Sequence, residues 1–523
     1  LVRAVGASKA CQLQFASAPL SAGEAMELGV VDEVVVGAEK AKGRAKEFAC
    51  GVSKHGRVVM PMDREGRSTL LCEIAAVQSQ SKSSATIPQG MIKHELPSMA
   101  PIKPHSTLGA GIHAMEVYVP RHAVRAADLE ALHNQHGKYT VGLHMHEFST
   151  PGEDEDAVSM ALTVVSRLMQ RHQVPWEQVG MLQVGTESLV DRSKSIKSNL
   201  MQLFEAHGCF NVEGVDNYNA CYGGTAALLN CINWVQSAAW DGRWALVVCT
   251  DISDGSGRYK WMAGAAAVAM LVGADAAVQF ERERASHIMD RWDFYKPVGW
   301  ESMAPLVDGP HSIDMYMECL DGCQRRLCEM CGIGNLVEEH DYLVYHLGSS
   351  PKFVWKAFQR SALNAYGEEL PEQQLQQLFE QKVAPSLQLA SHIGPMHTAA
   401  TYVNLYSLLQ SGGSGLVGSR VCVFSYGSGS ASSMYRLHVR GLPLFGADVW
   451  GQLERRQVHP PAVFEGIATR YAETYGRFGF EAKVDGEQPG GVWYLKGVDV
   501  LGRRNYVQPA LTYLQYYPLS KVN

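Results

Sequence analysis

The sequence lacks a long hydrophobic run. Its longest apolar stretch extends from Ala263 to Ala274 and is closed by Asp275, far short of the ~20 residues that a membrane-spanning helix needs. No basic segment followed by an apolar one marks a secretory leader, and the chain begins at Leu1 rather than Met, as a fragment or a processed chain would. We expect a soluble protein that does not bind membranes.

An excess of basic charge is also missing. The 523 residues include 46 Lys and Arg against 53 Asp and Glu, for a net charge of −7. This balance argues against a nucleic-acid-binding protein dominated by a basic face. The hydrophobic fraction of 46% is ordinary for a soluble globular protein, and the length suggests about three domain-sized units.

Cysteine is sparse, with 12 residues that lie mostly inside apolar runs. This usage indicates reduced thiols and a cytoplasmic location. One cluster, "ECLDGCQRRLCEMCGIG", contains Cys319, Cys323, Cys328 and Cys331. A zinc site would need ligand pairs from separate turns, whereas these four fall on one predicted helix. We interpret them as structural thiols, with a metal site and redox chemistry as the alternatives.

The composition divides the chain into three parts. Residues 1–77 form one unit, and residues 78–105, rich in Ser, Pro and Lys, read as a linker. From residue 106 onward, short apolar strands alternate with helices, which predicts an α/β protein whose sheets are covered on both faces.

The strand pattern repeats. "VGMLQVGTES" is followed by "GRWALVVCTDIS" in the first half, and "YLVYHLGSS" is followed by "GSRVCVFSYGSG" in the second. Each time a strand ends in a Gly-Ser/Thr turn and the next strand follows a glycine and a basic residue. This echo predicts a duplicated α/β architecture.

The segment "DNYNACYGGTAALLNCINWVQS" places Cys221 on a corner before a buried helix. Unpaired backbone N–H groups and the helix dipole at such a corner stabilise a thiolate. The two following glycines let an acyl group approach the backbone closely. A nucleophile is therefore one interpretation of Cys221, and a small buried apolar residue is the other.

Other candidate groups lie near strand ends and helix starts. His346 and Asp251 each end a predicted strand, at the edge where α/β sheets bind ligands, although such a histidine is often structural. The acidic run 153–156 precedes a helix, where it either complements the dipole or supplies a catalytic carboxylate. The Gly/Ser turn at 424–433 could present N–H donors to an oxyanion or a phosphate.

Read together, these segments resemble the 3-hydroxy-3-methylglutaryl-CoA (HMG-CoA) synthases of the thiolase superfamily. "NACYGGTAALLNCINW" resembles the family's active-cysteine segment. "VGTESLVDRSKSIKSNLMQLFE", "WDGRWALVV", "DFYKP", "VDGPHSIDMY", "VFSYGSG" and "GVWYLKGVD" follow the family order. The resemblance covers about residues 109–515.

The resemblance implies a thiolase-like fold of two duplicated halves in five αβαβα layers, with the halves at about 106–335 and 336–523. It also implies a homodimer and no metal or other cofactor. The implied reaction condenses acetyl-CoA with acetoacetyl-CoA to HMG-CoA in the mevalonate pathway of isoprenoid synthesis.

Residue by residue, the resemblance makes Cys221 the acylated nucleophile and Glu155 the general acid/base. His346 would polarise the β-carbonyl of the acceptor. The implied supporting and substrate-binding residues are Asp251, Asp293, Tyr295, Ser428 and Lys352.

Three departures from the family pattern stand out. The family's Gly-Asn-x-Tyr-Thr segment reads "IGPMHT", with Pro395 for the asparagine and His397 for the tyrosine. Trp261, Met262 and Ala263 replace a Pro-Thr-Gly run, and one extra residue separates His346 from Lys352. These changes predict a lowered activity or an altered acceptor.

Residues 1–77 resemble the C-terminal part of the enoyl-CoA hydratase (crotonase) family, without its oxyanion-hole core. This neighbour suggests an alternative acceptor, a β-ketoacyl acyl carrier protein in polyketide β-branching. A catalytically weakened homologue with a scaffold role is the remaining alternative.

Overall fold

The computed structural model describes residues 109–256, 262–298, 302–446 and 448–509. By contacts the chain divides into the units Leu1–Ile102 and Lys103–Asn523, and every described residue belongs to the second. The predicted crotonase-like segment and the linker lie outside the described residues. The domain boundaries therefore stay predictions.

The described residues form helices and strands in alternation. The strands are β1 (Gly111–Tyr118), β2 (His122–Arg125), β3 (Glu147–Thr150), β4 (Val179–Gly185), β5 (Asp216–Asn217), β6 (Trp244–Ser253), β7 (Gly264–Gly273), β8 (Val278–Ile288), β9 (Phe294–Tyr295), β10 (Leu306–Val307), β11 (Tyr342–Tyr345), β12 (Arg420–Gly427), β13 (Ala431–Val439), β14 (Leu444–Phe445), β15 (Gln457–Val458), β16 (Phe480–Glu481), β17 (Tyr494–Val498) and β18 (Arg504–Val507). The helices are α1 (Ala126–His133), α2 (Ala157–Arg171), α3 (Ile196–Glu205), α4 (Gly223–Val235), α5 (Gly309–Cys331), α6 (Leu336–Glu339), α7 (Pro351–Tyr366), α8 (Glu372–Lys382), α9 (Ala400–Gly412), α10 (Val449–Glu454) and α11 (Pro461–Glu473). Single 3₁₀ turns at Trp176–Gln178, Ala384–Leu387, Ala390–His392, His397–Ala399 and Gly413–Leu416 connect them.

The main sheet is built from two equivalent sets of strands. Its order is β11-β12-β13-β8-β1-β7-β6-β4-β5. The set β1-β7-β6-β4 matches the set β8-β13-β12-β11, which begins ahead of the predicted division between the halves at about residue 335. In both sets the last two strands are parallel and the other neighbours antiparallel. The two sets meet where Ile112 pairs with Val278. The predicted duplication and the predicted strands of both halves are confirmed.

The strands are apolar on both faces because both faces are covered. In β7, Ala265, Ala267 and Ala269 point into one apolar core, and the alternate residues Val268 and Met270 point into another. Helix α2 packs against β1, β6 and β7, whereas α4 packs against β4 and β6. In the second set of strands, α5 packs against β8 and β13, and α9 against β11 and β12. This is the layered α/β arrangement that the sequence predicts.

The four clustered cysteines all lie on α5, as their spacing predicts. Cys319 and Cys323 are buried, and Cys328 and Cys331 are half-buried. The Sγ atom of Cys323 lies 3.3 Å from the hydroxyl of Ser432 on β13, so this face of the helix packs on the sheet. Within the described ranges, none of the helices combines the length and the apolar character needed to cross a bilayer.

Candidate active site

Cys221 lies on a tight corner between β5 and α4, where the sequence predicts it. Ala220 has a left-handed backbone with φ of 41°, and the N–H of Tyr222 donates to the carbonyl of Asn219 at 3.0 Å. Gly224, in the first turn of α4, has no room for a side chain. A Cβ there would lie 2.7 Å from both the Sγ of Cys249 and the carbonyl oxygen of Thr398. The corner thus fits tightly against the second half of the chain.

The thiol of Cys221 contacts two ionisable side chains. Its Sγ lies 3.5 Å from Oε2 of Glu187 and 3.5 Å from Nδ1 of His397. The other carboxylate oxygen of Glu187 accepts a hydrogen bond from Nζ of Lys296 at 2.9 Å, and Nε2 of His397 lies 3.8 Å from that same oxygen. Glu187 and His397 are nearly inaccessible to solvent, so these charges interact in a poorly screened environment.

Electrostatics favour the neutral thiol in the resting protein. Burial and then the carboxylate of Glu187 raise the pKa of Cys221 well above its usual value. The expectation that the helix N-terminus holds a thiolate is therefore reversed, because desolvation and negative charge outweigh the dipole. Burial also disfavours the charged form of Glu187, but His397 and Lys296 outweigh it and lower the pKa of that carboxyl to about 2. Cys221 thus needs a proton acceptor before it can attack.

Asp251, at the end of β6, fastens three backbone segments together. One carboxylate oxygen accepts from the hydroxyl of Thr186 at 3.0 Å and from the N–H groups of Glu187 at 2.8 Å and Ser188 at 2.9 Å. The other accepts from the N–H of Thr398 at 2.9 Å and its hydroxyl at 2.5 Å. Burial, followed by the charge of Glu187, raises the pKa of Asp251. Through these bonds Asp251 positions the backbone that carries Glu187 and His397.

His346 follows β11 and is buried. Its N–H donates to the carbonyl of Phe424, and its own carbonyl accepts from the hydroxyl of Tyr316 at 2.9 Å. Nδ1 of the ring lies 3.4 Å from the hydroxyl of Thr401. Burial and then the positive charge of His397 lower the pKa of His346 to about 3. The ring is therefore neutral near pH 7. It lies close enough to His397 for the two imidazoles to interact electrostatically.

Glu155 is fully buried just before α2. Its carboxylate accepts a hydrogen bond from the hydroxyl of Tyr118 and lies 3.3 Å from Nη1 of Arg121. The carbonyl of Ala157, two residues on, accepts from the hydroxyl of Thr250, the neighbour of Asp251 in β6. Glu155 thus lies at the same sheet edge as Asp251, but its hydrogen-bond and ion-pair partners do not include Cys221.

Asp293 and Ser428 connect the Gly/Ser turn after β12 to the cysteine corner. The carboxylate of Asp293 accepts from the hydroxyl of Tyr426 and from the N–H of Gly429, both at 3.1 Å. The side-chain amide of Asn219, two residues before Cys221, donates to the carbonyl of Ser428 at 3.3 Å. The turn therefore lies directly against the cysteine corner.

Two predicted site residues, Tyr295 and Lys352, are not hydrogen-bonded to the cluster around Cys221 in the described part of the chain. Tyr295 is in β9, paired with Leu306, and its ring packs edge-on against Trp292. Lys352 is in the first turn of α7, where its N–H donates to the carbonyl of Leu143. Neither side chain is hydrogen-bonded to Cys221.

The residues that depart from the family pattern lie in different parts of the structure. A Cβ on Gly264 would lie 2.2 Å from the carbonyl oxygen of Pro395, so the Pro395 segment rests on the start of β7, next to Ala263. The imidazole of His397 contacts the thiol of Cys221. Trp261 lies outside the described residues.

The only described residues grouped closely enough to hold a metal ion are Glu187, Cys221 and His397, whose ligand atoms lie within 4.8 Å of one another. The ammonium group of Lys296 on Glu187 opposes a second cation there. Burial disfavours the charged form of Lys296, but the attraction of Glu187 prevails and raises the pKa of the amine. The arrangement suits proton transfer and acyl transfer at the sulfur.

Comparison with protein families agrees with this geometry. The sequence model described as hydroxymethylglutaryl-coenzyme A synthase N terminal matches residues 107–277, and its C-terminal counterpart matches 278–378 and 369–509. The chain belongs to the hydroxymethylglutaryl-CoA synthase family. The mitochondrial HMG-CoA synthase of Sus scrofa is 39% identical over 454 residues, covering 76% of this chain and 89% of the relative. HMG-CoA synthase 2 of Blattella germanica is 37% identical, covering 76% and 98%.

Solved structures of HMG-CoA synthases share the fold. MvaS in complex with 3-hydroxy-3-methylglutaryl coenzyme A is 29% identical with a TM-score of 0.65, covering 76% of this chain and 99% of that chain. The HMG synthase of the curacin biosynthetic pathway is 22% identical with a TM-score of 0.68 and the same coverage. The thiolase-like fold predicted from the sequence is confirmed.

Sequence reasoning missed two residues of the HMG-CoA synthase site and undervalued a third. Glu187 lies just after β4 and Asp251 lies near the end of β6, so the strand-end signal that selected Asp251 also applies to Glu187. Lys296 lies in "DFYKP" beside Asp293, but nothing in the local pattern indicates its partner. His397 is visible only as a departure from the family pattern, and its contact with Cys221 depends on the tertiary fold.

Proposed function

We propose that this chain condenses acetyl-CoA with acetoacetyl-CoA to give HMG-CoA through an acetyl-Cys221 intermediate. The observation that supports this most directly is the buried cluster around Cys221, at the carboxyl ends of the parallel strands, in a chain of the HMG-CoA synthase family. A half-buried thiol with a histidine and a carboxylate in contact is suited to a covalent acyl intermediate.

In the proposed first step, the sulfur of Cys221 attacks the thioester carbonyl of acetyl-CoA and CoA leaves. The acetyl group is then held in place by a covalent bond, which replaces a bimolecular encounter with an oriented one. The Gly/Ser turn fastened by Asp293 lies against this corner, and we propose that it and Ser428 contact the acyl group.

In the second step, Glu155 removes a proton from the acetyl methyl group, and the resulting enolate attacks the β-carbonyl of acetoacetyl-CoA. Tyr118 and Arg121 hold the carboxylate of Glu155 in a fixed orientation, which suits a general base. His346, neutral near pH 7, donates a hydrogen bond to the developing alkoxide. Water then releases HMG-CoA from Cys221.

The remaining roles follow from the same proposal. Lys352 contacts CoA, Tyr295 lies near the substrate, and no metal or redox cofactor takes part in the steps. We propose a homodimer in the cytoplasm. The relatives include both a mitochondrial form and the cytoplasmic enzyme of Mus musculus, which is 36% identical, so the compartment is a prediction from the cysteine usage.

The test is to incubate the purified chain with acetyl-CoA and either acetoacetyl-CoA or an acetoacetyl acyl carrier protein, and to identify products by chromatography and mass spectrometry. HMG-CoA formed from acetoacetyl-CoA supports the proposal. Product formed only on the carrier protein would replace the acceptor with that of the alternative. Absence of both products, with folded protein, would contradict the condensation and leave the scaffold role.

A further inference from the structure

His397 is held in an unusual backbone conformation between Cys221 and Glu187. It opens a 3₁₀ turn with φ of 45°, in the left-handed region. The next residue, Thr398, is fixed by two hydrogen bonds to Asp251 and a third to the carbonyl of Gly185 at 3.1 Å. These bonds fix the direction in which the imidazole points.

The contacts of the ring select one tautomer. Nε2 faces the carboxylate of Glu187 at 3.8 Å, and Nδ1 faces the sulfur of Cys221 at 3.5 Å. A carboxylate favours a proton on the nitrogen that faces it. The proton of neutral His397 therefore resides on Nε2, and the lone pair of Nδ1 is directed toward the thiol.

We propose that His397 is the general base that activates Cys221 for acylation. The proton of the thiol moves to Nδ1 of His397 while the sulfur forms a bond to the thioester carbonyl. The carbon–sulfur bond to CoA then breaks, and the proton on Nδ1 passes to the departing CoA thiolate. The charges balance, and no additional reactant is required. This inference rests on the proposed function, because it assigns the proton transfer in its first step.

Glu187 is the competing base, because its Oε2 is also 3.5 Å from the sulfur. The other oxygen of its carboxylate accepts a hydrogen bond from the ammonium group of Lys296 at 2.9 Å, which stabilises the charged form of Glu187. A carboxylate held by an ammonium group does not readily take a proton from a thiol whose pKa is raised. Glu187 is better placed to stabilise the imidazolium of His397 once the proton has moved, and we regard it as a positioning residue.

The charged and titratable groups around His397 come from five segments. The carboxylate of Glu187 and the thiol of Cys221 contact the ring. The carboxyl group of Asp251 and the imidazole of His346 lie near it at the ends of β6 and β11, and Lys296 follows β9. Any pH dependence of acylation reports this group as a whole.

The test uses the left-handed backbone of His397. Because φ is 45°, His397→Gly should be accommodated without strain, and it leaves a space for free imidazole. The matched control is Asn134→Gly, since Asn134 is exposed and also left-handed, with φ of 52°. The rate of acetyl-Cys221 formation is measured by rapid quenching and intact mass spectrometry at saturating acetyl-CoA.

We expect His397→Gly to slow acetylation by on the order of 100-fold or more. Added imidazole should restore part of the rate in proportion to its concentration. The control variant should keep the wild-type rate. Wild-type rates in folded His397→Gly, or a slow rate that imidazole does not change, would overturn the role of His397. Iodoacetamide labelling of Cys221 in each variant is the control that checks whether the thiol stays accessible.

If His397→Gly does not fold, His397→Asn provides the same test, because asparagine also tolerates the left-handed region. The wild-type rate should level off at high pH, whereas that of His397→Asn should keep rising as hydroxide removes the thiol proton. If the acetylation rate depended on pH in the same way in the wild type and in His397→Asn, the proposal would be overturned. Failure of the wild type to acetylate would contradict the proposed function itself, whereas normal condensation with unaffected His397 variants would contradict only this inference.

Discussion

Nδ1 of His397 lies 3.5 Å from Sγ of Cys221, although 176 residues separate them in the sequence. Cys221 belongs to the first of the two duplicated halves and His397 to the second. The bonds from Thr398 to Asp251 hold the two halves together at this point. The site is therefore assembled between the repeats, because the first repeat supplies the thiol of Cys221 and the second supplies the imidazole of His397.

Glu155 and Glu187 should have separable roles. Glu155→Gln should still form acetyl-Cys221, because its carboxylate does not contact the sulfur, but should lose HMG-CoA formation by on the order of 100-fold or more. Glu187→Gln should slow acetylation itself, because His397 loses its partner. Intact mass spectrometry with acetyl-CoA alone measures the first step, and HMG-CoA release measures the whole reaction. Normal condensation by Glu155→Gln would contradict the assignment.

Asp251 should be among the costliest carboxylates to replace. Asp251→Asn puts an amide donor where five hydrogen bonds are now accepted, so at least one donor group is left unpaired in a buried site. We expect a loss of about 2–4 kcal/mol in the free energy of unfolding, together with slower acetylation. Asp275→Asn, at an exposed position, is the control and should change stability by less than about 0.5 kcal/mol. Equal stabilities from urea unfolding would contradict the bracing role.

Gly427 should be intolerant of a methyl group. A Cβ there would lie 2.4 Å from the backbone nitrogen of Tyr222, so Gly427→Ala must displace the cysteine corner. We expect about 1–3 kcal/mol of destabilisation and a reduced rate of acetylation. Gly415→Ala has open space around the added methyl and serves as the control. An unchanged acetylation rate in Gly427→Ala would show that the corner tolerates displacement.

The protein should lose stability in mild acid. The pKa of His122, like that of His346, is lowered to about 3 by burial first, against about 6.5 in an unfolded chain. Between pH 6.5 and 3 the unfolded state binds one more proton at each histidine. As the pH is lowered through this range, the free energy of unfolding therefore decreases by about 1.4 kcal/mol per pH unit for each histidine.

The check is urea unfolding at pH 6 and pH 4. His122→Gln should reduce the pH dependence of the free energy of unfolding by about one such increment per unit. His136→Gln, at an exposed position, should leave the slope unchanged. A slope in His122→Gln equal to that of the wild type would contradict the assignment of a buried neutral histidine.

The sequence predicts the fold well because the fold depends on local patterns. Continuous apolar strands such as β7 indicate burial on both faces, and the repeated strand–turn pattern indicates the duplication. Cys221 is likewise marked by its own segment, a cysteine on a corner before two glycines and an apolar helix, although that pattern alone leaves a small buried apolar residue as the alternative.

The partners of Cys221 are much harder to predict from sequence. Glu187, Lys296 and His397 come from three distant segments, and their distances depend on how Asp251 ties the ends of the strands together. The pKa of the thiol is hard to predict for the same reason, because the dipole of α4 is a local feature whereas burial and the charge of Glu187, which raise that pKa, come from the tertiary fold. Residues 1–108 lie outside the described residues, so the crotonase-like resemblance stays a prediction.

The most direct measurement is the intact mass of the purified protein after mixing with acetyl-CoA, compared with Cys221→Ala. We predict that the wild type gains one acetyl group, that the variant gains none, and that acetoacetyl-CoA then discharges the wild type with formation of HMG-CoA. A wild type that stays unmodified, or a Cys221→Ala variant that is acetylated equally, would contradict the acetyl-cysteine intermediate.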